Sequence, residues 1–239
     1  MSRIVDLTQP VSPRTPRSVD HPEVEFEVIR HFSTHGLITR TVHMSLHAGT
    51  HVDAPGLYIP SGKNVDDYPI ERLFGPGVIL DLPRDDWGVI TGDDLENARP
   101  RVEGGDIVML HTGWHRYYYT DEERYQLKNP GCDKSAVDWL VERRVNIVIG
   151  EGPAAEHFFM HIGRFRVTRP DYIGDPSFDP ELFPPHYFHK ELMRHDILIV
   201  DGAGGDADLI AGRRCTIGVM PSRFEAVEAA PARVFAILE

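Results

Sequence analysis

An α/β or α+β domain with few helices is the fold class the sequence predicts, and three observations carry it. Short apolar runs bounded by turn residues recur along the chain, as buried strands do. Only one long segment has a clear helical stripe. The strands are both clustered and alternated with helices, which is the order of a mixed sheet.

Taken in order, residues 4–7, 24–30 and 38–44 are expected strands, with a proline-rich turn region from Pro10 to Pro16 after the first. A Gly/Pro-rich loop follows from Ala48 to about Asn64. Residues 77–82 and 105–110 are short apolar runs between turn signals and predict buried strands. Residues 133–144 predict a helix with Ala136, Val137, Leu140 and Val141 as its apolar stripe, and Ser135 with Asp138 resembles a capping box. A strand over 145–149 completes a strand–helix–strand unit. Residues 151–185 predict an irregular excursion, 186–194 a short helix, and 196–200, 215–220 and 234–238 the closing strands.

The chain has 239 residues, 41% of them apolar and 26% charged, enough for a proper core. No repeat, low-complexity tract or charge block divides it, so residues 1–239 are expected to form one domain. The formal charge of −12, from 25 basic and 37 acidic residues, argues against nucleic acid or an anionic membrane as partner, since both need a positive footprint. No apolar run reaches the length of a membrane span, and MSRIVDLTQP lacks the apolar core of a secretory signal. Cys132 and Cys215 offer no disulfide framework, so the expected location is the reducing cytoplasm.

The chemistry concentrates in His47-Ala-Gly-Thr-His51-Val-Asp53-Ala-Pro55. Two imidazoles and a carboxylate this close suit Zn²⁺ or another divalent cation. Four residues of extended strand span about 13 Å, so His47 and His51 cannot share an ion on a straight strand. Gly49, Thr50, Val52 and Pro55 disfavour a helix. The remaining solution is a strand that ends near His47 and bends at Gly49, turning the three donors inward.

This segment resembles the H-x-G-T-H-x-D-x-P motif of the cyclase-like family of metal-dependent hydrolases, which includes bacterial kynurenine formamidases and isatin hydrolases. Asp6-Leu7-Thr8, the stretches 62–67 and 75–82, Thr112-Gly113-Trp114, Pro130-Gly131 and the stretch 139–144 extend the resemblance along nearly the whole chain. The resemblance implies a single domain of the swivelling β/β/α type, a homodimer or homotetramer, and one or two Zn or Mn ions per chain. It further implies that His189 and Asp201, twelve residues apart, are ligands, with Asp201 standing where relatives have Glu and one methylene shorter. Asp53 would then bridge two ions.

The sequence departs from the family four residues past Asp53, where relatives carry a His used in proton transfer and this chain has Leu57. His111, Tyr58 and Glu151 are the expected catalytic substitutes; His43, His115 and His157 are weaker candidates. His186 competes with His189 as a ligand. Trp114, Tyr117, Tyr118 and Tyr119, with Phe158, Phe159 and Phe165, either wall a pocket for a ring-shaped substrate or pack in the core or at an oligomer interface. His21, His31, His35, His161 and His195 have only the context of surface histidines. The expected activity is hydrolysis, by metal-activated water, of an amide, imide or lactone bond in a small cyclic or aryl substrate. Ring opening of a cyclic ketone and non-catalytic metal or ligand binding are the alternatives.

Overall fold

The structure is a computed structural model that describes residues 3–18, 20–161 and 179–238. Its strands in chain order are β1 (Arg3–Asp6), β2 (Glu25–Arg30), β3 (Thr39–His43), β4 (His51–Asp53), β5 (Phe74–Asp81) and β6 (Val89–Ile90). Then come β7 (Ile107–His111), β8 (Gly131–Cys132), β9 (Ile147–Gly150), β10 (Leu198–Asp201), β11 (Arg213–Pro221) and β12 (Ala229–Leu238). The α-helices among the described residues are α1 (Phe32–His35), α2 (Gly92–Asn97), α3 (Glu122–Leu127), α4 (Lys134–Arg143) and α5 (Tyr187–Arg194).

Eight strands form one mixed sheet in the order β1-β12-β11-β5-β7-β9-β10-β4, and β4 also pairs with β12, so the sheet closes on itself like a barrel. Its middle, β5-β7-β9-β10, is parallel. Parallel strands need crossovers that cover a face, which is why these strands are apolar on both sides. Side chains alternate accordingly. Val108, Leu110, Val148 and Ile199 pack against α2, α4 and α5. Ile107, Met109, Ile147, Leu198 and Val200 fill the inside of the closed sheet with Val52.

The fold class is therefore as expected, and several local details differ. Residues 51–53 form β4 rather than loop; three residues are too few to show an alternation. The preceding strand β3 stops at His43, and Gly49 makes the expected bend at φ +68°. The cap of α4 is Asp133, whose carboxylate takes the Ala136 N–H at 3.0 Å and the Ser135 hydroxyl at 2.6 Å. Ser135 thus lies inside the first turn and forms no box with Asp138. Strand β12 begins ahead of the expected 234. The described part of 151–185 is irregular apart from a 3₁₀ turn, Phe158–Met160; residues 162–178, with Phe165, lie outside the described residues. No helix among the described residues is long and apolar enough to cross a membrane.

One polar clamp ties the loop after β4 to the α5–β10 turn. Asp196 takes the Lys63 ammonium at 2.7 Å and the Tyr68 hydroxyl at 2.5 Å, and its carbonyl accepts from Arg72 at 2.7 Å. Burial works against the Asp196 charge, but Lys63 and Tyr68 outweigh it and hold the carboxyl below its ordinary value. A depressed acid stabilises the fold above its unfolded pKa, about 3.9, and loses that contribution as pH falls through the folded value. Asp196→Asn is thus expected to lower the melting temperature at neutral pH, with the gap to wild type closing below about pH 4. Thermal scans across pH check this; a gap independent of pH would contradict it.

Candidate metal centre

Strand alternation delivers the motif to one place. Val52 points inside the closed sheet, so His51 and Asp53, two residues apart, share the opposite face. Strand β10 runs antiparallel beside β4 with Asp201 directly across from His51. Val200 faces inside, so Asp201 emerges with His51. The Gly49 bend swings His47 back over this face, and α5 lowers His189 onto it. All five side chains line one cleft of about 180 Å³.

The donors form two sets around a shared carboxylate. His47 Nδ1 and His51 Nε2 lie 3.0 and 3.4 Å from Asp53 Oδ1. His189 Nε2 lies 3.9 Å from Asp53 Oδ2 and 3.5 Å from Asp201 Oδ2. Both triads have ligand atoms close enough for one ion each. The remaining nitrogens are tied elsewhere. His51 Nδ1–H donates to the Gly49 carbonyl at 2.9 Å, and His47 Nε2–H to Glu228 Oε1 at 3.2 Å. Those bonds leave His47 Nδ1 and His51 Nε2 as lone-pair donors toward the cleft.

The residues fit a cation on a direct observation. Asp53 Oδ1 is buried and has no hydrogen bond, although two imidazole nitrogens stand beside it. A buried carboxylate oxygen without a partner is costly, and a cation bound by the same atoms removes the cost. The electrostatics agree. Burial opposes charge on His189, yet Glu156 and Asp201 raise its pKa well above the ordinary value. Burial likewise opposes the Asp53 charge, and His51, His47 and His189 hold its pKa down. Behind His189, Glu156 is fully buried with Oε1 3.4 Å from His189 Nδ1, and its pKa is depressed by His189 and His186. A field that draws protons onto these rings also draws a divalent cation, which displaces them.

The other expected residues separate. Tyr58 lines the cleft beside Leu57, with its hydroxyl 3.2 Å from His186 Nδ1 and its ring 5.6 Å from that of His189. His186 sits 3.5 Å from Glu156 Oε2 and contacts neither Asp53 nor Asp201. His111 and Glu151 do not line the cleft. Glu151 is buried and spends its carboxylate on the Thr112 and Trp114 N–H groups, both at 2.9 Å, and on His115 Nδ1 at 2.9 Å. His43 is exposed at the end of β3. His157 is buried between the Trp87 carbonyl and the Phe159 N–H, and burial pushes its pKa down to about 4. Of the aromatics, Tyr118 lines the cleft with Tyr125 while Phe158 and Phe159 pack in the core.

His21 and His161 also line the cleft, where the sequence offered only surface readings; the His21 ring lies 5.5 Å from that of His47. Nothing in the local sequence marks these two, nor Glu156 and Glu228, because each arrives from a segment remote from the motif.

A β/α fold with a closed mixed sheet and a two-histidine, one-aspartate centre at its edge defines the class of protein. The model of the family described as "Putative cyclase" matches residues 5–157, and the chain belongs to that family. It is 26% identical over 195 residues to Cyclase-like protein 3 of Oryza sativa, a match covering 80% of this chain and 62% of that protein. It is 26% identical over 174 residues to a kynurenine formamidase of Bacillus cereus, covering 70% of this chain and 68% of the relative. Among solved structures, isatin hydrolase A from Ralstonia solanacearum superimposes with a TM-score of 0.79 at 24% identity, covering 100% of this chain and 92% of that one. At that identity the likeness shows the fold.

Proposed function

We propose that this chain, as one domain over 1–239, is a metal-dependent hydrolase that cleaves an amide, imide or lactone bond of a small cyclic or aryl substrate. The observation that carries the reading is the convergence of His47, His51, Asp53, His189 and Asp201 on one cleft. Relatives named for hydrolysis of a formamide and of isatin support it. Zn²⁺ or Mn²⁺ held there, as one ion or two bridged by Asp53, would polarise a carbonyl and acidify water.

The protein's own groups do the rest. Tyr118 and Tyr125 supply a wall against which a ring packs. Gln126 Oε1 is buried in the cleft lining without a hydrogen bond and would accept a substrate N–H. Tyr58, next to Leu57 in the cleft lining, would give a proton to a leaving group, with His186 and Glu156 behind it. Neither His111 nor Glu151 enters this proposal, since neither reaches the cleft. Tyr58→Phe is expected to lower kcat about 100-fold with little change in KM. Steady-state kinetics check this, and an unchanged kcat would remove Tyr58 from the reaction.

The reading is tested by a hydrolysis screen of formanilides, cyclic imides, isatin-type lactams and lactones with the metal-loaded protein. Turnover of one class supports it. Leu57 in the cleft lining is the observation that favours the other readings, ring opening of a cyclic ketone or binding without turnover. Stoichiometric metal with no turnover on any class would favour the binder.

We further propose a homodimer or homotetramer in a reducing cytoplasm, with a small molecule as the reactive partner. Among the described residues the β2–β3 hairpin pairs only with itself, and it exposes apolar side chains, Phe26 at 44%, Phe32 at 67% and Val42 at 53%. Phe26 and Val42 lie directly opposite each other, so the patch is continuous. Charging it with Phe26→Glu and Val42→Glu is expected to convert the oligomer to monomer with the fold intact, read by light scattering and circular dichroism. An unchanged mass would sink this assignment.

A further inference from the structure

Away from the cleft, the described residues hold another cluster of ligand-type side chains that the proposed reaction does not use. His111 ends β7, His115 lies in the turn Trp114–Tyr117 that follows, and Asp208 lies in the turn Ala207–Leu209 after β10. None of the three lines the cleft.

The arrangement of protons is the telling feature. His111 Nδ1 lies 3.2 Å from Asp81 Oδ1, and His115 Nδ1 lies 2.9 Å from Glu151 Oε1. An ionised carboxylate only accepts, and a neutral ring has one proton to give; with that proton on Nδ1, His115 donates to Glu151 and His111 to Asp81. Both Nε2 atoms are then acceptors in the neutral rings. Both nevertheless face one further carboxylate, His111 Nε2 at 2.9 Å from Asp208 Oδ1 and His115 Nε2 at 3.6 Å from Asp208 Oδ2. In that tautomer two lone pairs and a carboxylate converge, an arrangement that favours a positive charge among them. A second proton on a ring, a shift of the His111 proton to Nε2, or a bound cation each relieves it.

We propose that His111, His115 and Asp208 form a second divalent-cation site, of the zinc type, separate from the cleft. Two imidazole nitrogens and one carboxylate oxygen are a common donor set for Zn²⁺, with the remaining position left to water. All three ligand atoms lie within 4.8 Å of one another. The carboxylates on Nδ1 do what such partners do at metal histidines, fixing the tautomer and the ring plane. Glu151 is itself rigidly held, being fully buried and bonded to Thr112 and Trp114. Arg116, 3.7 Å from Asp208 Oδ1 and 59% exposed, is the competing cation and has solvent to swing into.

The role follows from what the site joins. It would staple the end of β7 to the segment after β10, and hold the turn bearing Trp114. Trp114 packs with Tyr118 and Tyr125, which wall the cleft. An ion here would therefore hold two segments together, and the inference stands whether or not the cleft performs hydrolysis.

The test is a Zn²⁺ titration of the full-length, chelator-stripped protein by equilibrium dialysis, with Co²⁺ visible spectra as a geometry readout. Asp208→Asn is expected to remove one equivalent of Zn²⁺ relative to wild type. A cleft-disabled chain, His51→Ala with Asp53→Asn, is expected to keep one equivalent, and its Co²⁺ form to show a four-coordinate spectrum that Asp208→Asn abolishes. Asp81→Asn, which touches no metal, should weaken that equivalent about 10- to 100-fold by releasing the His111 tautomer. If Asp208→Asn leaves both stoichiometry and affinity unchanged, or if the cleft-disabled chain folds and binds no Zn²⁺, the cluster is a proton-bridged network and the proposal is wrong.

Discussion

Asp53→Asn is expected to strip the cleft of metal and reduce turnover by at least about 100-fold, because replacing even a residue that only orients a ligand costs 10–100-fold. Asp53 is the one side chain shared by both donor sets, with Oδ1 facing His47 and His51 and Oδ2 facing His189. The amide keeps the shape and loses the negative charge, and one of its two atoms becomes a donor. Nitrogen lone pairs that converged on an anion then meet a dipole, and the attraction for a divalent cation falls on both sides at once. Metal content per chain and kcat/KM measured on the same preparations check this. A variant that keeps full metal and full activity would remove Asp53 from the centre.

The second large effect is structural. Gly202→Ala is expected to destabilise the protein by roughly 2–5 kcal/mol, the sum of a left-handed non-glycine residue and a backbone overpacking. Gly202 follows Asp201 at φ +67°, and a Cβ there would stand 2.5 Å from the Gly49 carbonyl oxygen. Gly49 is the bend of the metal motif, also at positive φ, and the Thr50 hydroxyl bonds the Gly202 carbonyl at 2.6 Å. The two glycines thus let the backbones carrying His47–Asp53 and Asp201 touch. Pushing them apart opens the distance between the donor sets, so metal affinity should fall together with the melting temperature. Chemical denaturation and metal titration of the variant test both halves. A variant as stable as wild type would show that the contact can relax at no cost.

These two effects indicate what could be read from the sequence. The first donor set was legible because three candidate ligands, two histidines and an aspartate, fall within seven residues around a glycine, and little else explains that grouping. Its local structure was less so: the bend at Gly49 was anticipated, whereas β4 is three residues long and gave no periodic signal. His189 and Asp201 were reachable only through the resemblance. Their partnership with Asp53 depends on the antiparallel pairing of β10 with β4, and pairing partners are not written in local sequence.

His111 and Glu151 show the opposite case. Residues at the ends of parallel strands are reasonable candidates for an active site, and these two do stand at the ends of β7 and β9. The closed sheet sends them to a neighbouring cluster instead. His21 and His161 reach the cleft through long-range folding alone, with no sequence feature to separate them from His31 or His195. The parallel strands were legible as apolar runs because both their faces are buried. The caps were not: Asp133 and Ser135 are both good cap residues, and only the backbone distinguishes them.

The most direct measurement of the central claim is anomalous diffraction at the zinc and manganese edges from crystals of the protein purified without added metal. The expected result is a peak in the cleft within about 2.0–2.2 Å of nitrogen or oxygen atoms of His47, His51 and Asp53. A cleft without an anomalous peak, in protein that also takes up no Zn²⁺ or Mn²⁺ when soaked, would contradict the metal centre and the hydrolase reading built on it.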